Sequence, residues 1–352
     1  MAWRTTLSQS WLTRGPLALC LWPLSQIYGA LQRRHARQSN SLTPHAPHCP
    51  VVVVGNVVAG GAGKTPLTIA LAQALMARGQ RPGIVSKGYG RQSRTACIDV
   101  NPHSDARQVG DEPLVMAQVL DAPVVVCSQR TEGIAYLLAR HPDTTVVLCD
   151  DGLQDTGLHR DVEIVVFDER GVGNGWLLPA GPLREPWPRT PAAHVNAFVV
   201  QSCSDNHAAL DLPGEHGPMW QVWRQLDGQT QRLDGLSVNA LEEWRGKDVQ
   251  AAAGIAKPEA FFQMLTAAGL HVVHRIVRPD HDPLNGLTAQ LQAGLPLFTT
   301  AKDGVKLRQL LPAAWTCQTW VVGLTLSLPD SLNAALCQAV QQRQSELSLH
   351  HG

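Results

Sequence analysis

The first 98 residues contain no aspartate or glutamate, and Asp99 is the first acid of the chain. The shortage is local: the 352 residues carry 29 Lys and Arg against 29 Asp and Glu, so the formal net charge is zero. Eleven of the basic residues, Arg4 to Arg94, fall in the acid-free stretch, which leaves the other 254 residues with 18 basic and 29 acidic groups, a net of −11. A chain divided in this way offers a basic end to something anionic, and nucleic acid, phosphate and a membrane surface all qualify at this point. Other absences exclude more. None of the eight cysteines forms a CxxC pair, so no zinc knuckle or dithiol motif is present, and all eight read as thiols, several inside apolar runs such as Val124–Cys127. The 30 glycines and 24 prolines have no period, which removes fibrous and repeat architectures. Charged residues reach only 16% and hydrophobic ones 44%, which removes a disordered chain. No clean apolar run of the ~20 residues that a spanning helix needs is present either.

What is present begins with residues 16–31, PLALCLWPLSQIYGAL, followed by Arg33, Arg34 and Arg37. The run is broken by Pro23, Ser25 and Gln26 and lacks a secretory cleavage site, while Trp11, Trp22 and Tyr28 suit the headgroup level. Its basic end suits anionic lipid, so a helix lying on a membrane surface is expected over residues 1–37; a helix capping the core is the alternative. After a linker at 38–50, strand-like runs recur at 51–54, 84–86, 124–126, 146–148, 164–167 and 197–200, with helix-length segments between several of them. That alternation predicts an α/β domain with a mostly parallel sheet over 38–217. Trp220–Arg224, Asp227-Gly228 and Thr230–Leu233 read as a β-hairpin linker at 218–235, and a smaller α/β domain is expected over 236–345.

Residues 55–66, GNVVAGGAGKTP, follow the first strand and precede a helix, the setting of a phosphate-binding loop. Backbone N–H groups of Gly60, Gly61, Ala62 and Gly63 would turn toward phosphate oxygens, Lys64 would reach the β- and γ-phosphates, and the Thr65 hydroxyl would bind Mg²⁺. The strict pattern wants glycine where Val58 stands. The strand at 146–148 runs into Asp150 and Asp151, the form of a second metal-binding element, and either carboxylate is a candidate ligand. Asp111 and Glu112 precede a helix, where compensation of its dipole is the plain reading. Arg184 and Glu185 lie in a proline-rich loop, and His281 stands between Asp280 and Asp282.

Together these runs resemble the tetraacyldisaccharide 4′-kinases of lipid A synthesis. The matching segments include Pro23-Leu24-Ser25 with Tyr28-Gly29, GNVVAGGAGKTP (55–66), VGDEP (109–113), DDGLQ (150–154), GNGWLLPAGPLREP (173–186), AGIAKPEAFF (253–262), PDH (279–281) and TTAKDGVKL (299–307), in order from about residue 16 to 323. The resemblance implies transfer of the γ-phosphate of ATP to the 4′-hydroxyl of a tetraacylated glucosamine disaccharide 1-phosphate, at the cytoplasmic face of the bacterial inner membrane. It implies Asp111 as the catalytic base, His281 as its orienting partner, and Asp150, Asp151 and Glu185 around metal and phosphates. It also implies two α/β/α units joined by a hairpin. If the two units close over ATP, His281, expected in the second, would complete the site only on closure. The chain departs from the pattern at Lys87 (usually Arg), Asp155 (often His), Asp282 (often His) and Ala301 (usually an acid). The alternative is a membrane-recruited phosphate-loop ATPase or nucleotide switch, but such loops usually carry Lys where this chain has Ala59. A soluble small-molecule kinase is a third reading. No nucleic-acid partner is expected, for want of any reader motif, and no obligate protein partner is evident.

Overall fold

The computed structural model describes residues 9–39, 46–93, 95–204 and 208–351. Residues 1–8 of the expected N-terminal segment, part of the 38–50 linker and the Arg37 side chain lie outside the described residues. Helix α1 covers Pro16–Ser39. Strand β1 (Val51–Gly55) leads into α2 (Lys64–Met76) and β2 (Pro82–Ser86), then β3 (Cys97–Val100), α3 (Asp111–Val119), β4 (Val124–Cys127), α4 (Arg130–Arg140), β5 (Val146–Asp150), β6 (Val162–Phe167) and β7 (Asn196–Cys203). The chain continues through β8 (Met219–Arg232), β9 (Val238–Ala240), β10 (Asp248–Ala253), α5 (Pro258–Ala267), β11 (His271–Val277), β12 (Leu297–Thr300), α6 (Ala301–Leu310), β13 (Thr319–Ser327) and α7 (Asp330–His351).

Two compact units share this chain: residues 1–87, 127–223 and 328–352 form the first, and residues 88–126 and 224–327 the second. In the first, β8, β7, β6, β1, β5 and β2 lie side by side, every pair parallel. The central strands are buried along their whole length, which is why they read as unbroken runs of valine, leucine and isoleucine. Helix α2 runs from the end of β1, and its Leu67, Leu71 and Leu75 are fully buried. The Asp161 carboxylate ties the unit together, accepting from Val51 N at 2.8 Å, meeting His159 Nε2 at 3.0 Å and pairing with Arg343 Nε of α7 at 2.7 Å. Burial alone would raise its pKa, but these partners hold it below the usual carboxylate range.

The second unit has the parallel order β11, β10, β12, β13. Phe261, Phe262 and Leu265 of α5 pack with Trp244, Phe298 and Trp320. Here the structure corrects the expected hairpin at 218–235. Met219–Arg232 is one continuous strand, and the antiparallel partner of its end is Val238–Ala240, so the chain turns near Asp234-Gly235. Asp227-Gly228 does not turn the chain: the strand runs on past it and pairs with Val238–Ala240, although the Asp227 side chain accepts from Gln229 N at 2.9 Å as in a turn. The expectation of eight thiols is also corrected. Cys97 and Cys127 are not free thiols but disulfide-bonded cysteines, and neither carries a spacing signal. Cys49 and Cys149 are buried thiols, each pushed up to about 12 chiefly by burial.

Candidate functional site

The β1–α2 loop has the backbone of an anion cradle. Gly60 and Gly63 have φ of 101° and 84°, and α2 begins at Lys64 directly after Gly63. A side chain at either glycine would be strained by that φ, and at Gly63 a Cβ would also come within 3.0 Å of Ser202 Oγ. Asn56, fully buried, holds the loop from inside by donating to Val58 O at 2.7 Å and Gly60 O at 3.1 Å, and its Oδ1 accepts from Lys64 Nζ at 3.3 Å. Val58 has no need of glycine, because it forms a β-bridge with Leu183. The flanking bonds Ala59 N to Pro182 O and Arg184 N to Val57 O, both 2.7 Å, extend that pairing.

Asp150 and Asp151 leave β5 in different directions. Asp150 faces α2, where Thr65 Oγ1 donates to it at 3.4 Å and Thr68 Oγ1 at 3.2 Å. Asp151 adopts φ 51°, a left-handed backbone that costs a non-glycine residue about 1–3 kcal/mol and tends to persist where function requires it. Its carboxylate meets Lys64 Nζ at 3.5 Å and Arg184 NH1 at 3.4 Å. Burial pushes its pKa up, but Lys64, Arg184 and Arg130 outweigh that and hold it below the usual range. Arg130, which the sequence reading did not single out, is buried and donates to the backbone carbonyls of Asp150 (2.7 and 3.2 Å) and Asp151 (2.7 Å), fixing the strand end on which both carboxylates sit. Thr65 and Asp150 supply hard oxygen donors of the kind Mg²⁺ takes. No group of three or more His, Cys, Asp or Glu side chains forms an all-protein metal cage among the described residues. The donor set therefore fits an ion completed by phosphates and waters.

The 173–186 segment joins this site to α1. Tyr28 OH donates to Arg184 O at 2.9 Å, Ser25 Oγ donates to Leu177 O at 2.8 Å and accepts from Ala180 N at 3.0 Å, and Trp11 Nε1 donates to Pro179 O at 2.9 Å. Leu17, Leu24, Ile27 and Leu31 remain exposed on the helix, whose inner face buries Ala18 and Ser25. At the end of the segment, Glu185 accepts from Gln154 Nε2 at 2.6 Å and pairs with Arg189. Gln154 also donates to Asn56 O at 2.9 Å, so it links Glu185 to the base of the phosphate loop. Arg189 makes a two-pronged bond to the buried Glu163, at 2.7 and 2.9 Å. Burial, with Glu163 nearby, pushes Glu185 up against the opposing pull of Arg189 and Gln154. A cavity of about 1060 Å³ runs along this cluster, lined by Leu31, Arg33, His159, Arg160, Glu185 and Arg189 among others.

The second unit holds a separate constellation. Asp111 is the first residue of α3, 7% exposed, and its Oδ2 lies 3.2 Å from His281 Nδ1. His281 itself has φ 59°, so Asp151 and His281 are two of the three non-glycine residues with positive φ among those described. Lys306 Nζ stands 3.7 Å from Asp111 Oδ2, and Lys302 Nζ stands 3.2 Å from His281 Nε2. Burial would raise the pKa of Asp111; the His281 hydrogen bond, Lys302 and Lys306 overcome it and keep the carboxylate below its ordinary value. The bond to Asp111 raises His281 against burial and Lys302. Both residues line a cavity of about 330 Å³ with Tyr89, Gln92 and Lys306. Asp111 and His281 belong to one unit, so their bond does not wait for the two units to close.

With this geometry in view, the comparisons are decisive. The profile of the tetraacyldisaccharide-1-P 4′-kinase family matches residues 17–341. The chain belongs to this family. It is 43% identical to the tetraacyldisaccharide 4′-kinase of Acidovorax sp. (strain JS42) over 336 residues, 94% of each chain. It is 46% identical to that of Verminephrobacter eiseniae over 332 residues, 93% of this chain and 73% of the relative. The structure of LpxK from Aquifex aeolicus in complex with ATP superposes with a TM-score of 0.74, at 24% identity and over 92% of this chain and 99% of that one, a likeness of fold.

The departures from the family pattern have local explanations. Lys87 and Asp155 face each other at 4.0 Å, and Asp155 also meets Arg130 at 3.6 Å, so the two unusual residues form a loose charge pair beside Asp151. Asp282 accepts from Leu284 N at 2.6 Å and from Arg278, shaping the loop that presents His281. Ala301 is the first residue of α6 and supplies no charge there. Beyond Arg130, the sequence reading missed Asn56, Gln154, Glu163, Arg189, Lys302 and Lys306. Asn56, Gln154, Lys302 and Lys306 lie inside the conspicuous runs, and that was their available signal.

Proposed function

We infer that this chain is the ATP-dependent kinase that phosphorylates the 4′-hydroxyl of a tetraacylated glucosamine disaccharide 1-phosphate, a step of lipid A synthesis. The observation that carries the reading is the buried Asp111 carboxylate, held ionised by His281 in a chain that also builds a phosphate loop. A nucleotide switch or plain ATPase has no use for such a pair, whereas a kinase needs a group to receive the acceptor's proton. We assign Lys64 and the N–H groups of Gly60, Gly61, Ala62 and Gly63 to the β- and γ-phosphates of ATP. On their arrival Lys64 exchanges its contact with Asp151 for phosphate. Thr65 and Asp150 would hold Mg²⁺, with Asp151 beside them; when bound, the ion would neutralise charge on the phosphates. Arg184 and Glu185 flank the same phosphates, with Glu185 fixed by Arg189 and Gln154. Asp111 accepts the proton of the sugar hydroxyl while His281 fixes its orientation. Most of the acceleration comes from positioning and charge stabilisation rather than from proton transfer.

We place the enzyme on the cytoplasmic face of the bacterial inner membrane. The support is α1, whose exposed leucine and isoleucine residues continue toward Arg33 and Arg34. Among the described residues no helix is long and apolar enough to cross a membrane. The mixed apolar and basic lining of the 1060 Å³ cavity suits an amphiphile with an anionic head group. Incubation with γ-labelled ATP and the disaccharide 1-phosphate tests the reading: label is expected on the lipid. ATP hydrolysis with no labelled lipid would hand the chain to the switch reading.

A further inference from the structure

The Asp111–His281 pair has a third member. Lys302 Nζ lies 3.2 Å from His281 Nε2, 3.0 Å from Asp280 Oδ1 and 3.3 Å from Glu112 Oε1. An ammonium has three N–H groups and no lone pair, so at this distance Nε2 must be the acceptor. The single ring proton then belongs on Nδ1, which faces Asp111 Oδ2 at 3.2 Å and donates to it. We propose that Lys302 is a positioning residue for phosphoryl transfer: it locks His281 in the neutral Nδ1–H tautomer, so that the imidazole presents a donor to Asp111 and leaves that carboxylate free to receive the acceptor's proton. The proposal rests on the reading of Asp111 as the base.

Local structure gives Lys302 no reason to be where it is. It is the second residue of α6, at the positive end of the helix dipole, where an anion is the favoured occupant. The helix start is already served by Thr300 Oγ1, which accepts from Asp303 N at 3.1 Å, and by Asp303 Oδ2, which accepts from Thr300 Oγ1 at 2.9 Å. Lys306, one turn later, points the same way and reaches Asp111 and Asp303. Lys302 is kept charged because Glu112, Asp111 and Asp280 together outweigh its burial. Around His281 the facing groups are Asp111 from α3, Asp280 at 4.0 Å on its own loop, Lys302 from α6 and the Tyr89 ring at 4.8 Å. A second proton on His281 would set two cations 3.2 Å apart and abolish the Nε2 acceptor.

The test uses the full chain labelled with ¹⁵N-histidine, with His281→Gln to assign the His281 signal. Above the His281 pKa, long-range ¹H–¹⁵N spectra of the wild type are expected to show a pyridine-like Nε2 and a pyrrole-like Nδ1. In Lys302→Met the tautomer ratio should move toward Nε2–H. The acid limb of the kcat profile should move to higher pH, because Lys302 lowers the His281 pKa. At neutral pH kcat should fall about tenfold, part of the 10²–10⁴ a positioned base supplies, with the KM for ATP unchanged. Lys302→Arg, also a donor without an acceptor, should restore tautomer and limb. A pyrrole-like Nε2 in the wild type overturns the proposal even if no variant folds, and so does an unmoved tautomer in folded Lys302→Met. The spectra need no catalysis: if they behave as expected while Asp111→Ala leaves transfer intact, the base assignment falls and the tautomer lock stands.

Discussion

The loop we assign to phosphate and the cluster we assign to the proton are built on opposite principles. The phosphate side is assembled from near neighbours in sequence: Asn56, Gly60, Gly63, Lys64 and Thr65 lie within ten positions, and their work is done largely by backbone shape and one helix end. The proton side gathers Asp111, His281, Lys302 and Lys306 from three segments up to 195 positions apart, and its work is done by side chains that tune one another. A backbone cradle tolerates variation in side chains, as Val58 shows. A cluster of coupled side chains has fewer places to absorb a change, because each member sets the electrostatic surroundings of the next.

Four experiments sharpen or break this comparison. The largest effect is expected for Asp111→Ala, which should lower kcat about 10²–10⁴-fold in a labelled-phosphate assay while ATP binding by calorimetry stays near normal. Loss of ATP binding would make Asp111 a structural residue and erase the distinction between the sides. Lys64→Ala should cost about 10²–10³-fold in transfer, the scale of one preorganised transition-state contact, and should leave the His281 NMR signals where they are. A shifted His281 signal would mean that the two sides are coupled. Arg189→Met should act on stability: it leaves the buried Glu163 with Arg160 alone and the half-buried Glu185 with Gln154 alone, and removing one partner from a buried pair costs up to about 3–5 kcal/mol, read as a drop in Tm. The smallest effect on stability is expected for Ile27→Gln, since an exposed residue away from special contacts changes stability by about 0.5 kcal/mol or less. Its effect should appear as weaker binding to anionic vesicles; unchanged binding would remove α1 from the membrane reading.

The pH dependence carries the same contrast. Asp161 and Asp111 have pKa values held below their unfolded values, so the stability they contribute is complete above the unfolded carboxylate pKa. That stability is lost as pH falls through their folded values. His281 is raised, so its contribution is complete below its unfolded pKa and fades as pH rises through the folded one. Acid unfolding followed by circular dichroism should therefore move toward neutral pH in Asp161→Asn. No movement would show that the Asp161 carboxylate is not tied to Val51, His159 and Arg343.

Legibility in the sequence followed the same line. The phosphate loop and the Asp150-Asp151 strand end were readable because their chemistry needs residues adjacent in the chain. The parallel strands were readable because burial on both faces leaves continuous apolar runs. The hairpin was misplaced because Asp227-Gly228 and Asp234-Gly235 carry the same turn signal, and only strand pairing distinguishes them. From its own surroundings in the chain Asp111 looked like helix-dipole compensation; the family resemblance paired it with His281, 170 positions away, and the structure sets the two 3.2 Å apart. Arg189 carried no local signal, since an isolated basic residue in a loop reads as solvated surface, and Lys302 had none beyond its place in the 299–307 run.

The acid-free first 98 residues marked one end of this protein, without any fold, as basic and suited to an anionic partner. Charge and glycine spacing are local properties, and the chain keeps them whatever it folds into. What only the tertiary structure decided is which of the later acids do chemistry. Burial and cationic neighbours keep Asp111 an ionised carboxylate, make Asp161 a structural tie, and set Asp150 against Thr65 but Asp151 against Lys64. The reason is physical: a carboxylate's pKa and role follow from the dielectric and the charges within a few ångströms, and those are set by residues that the sequence keeps far apart.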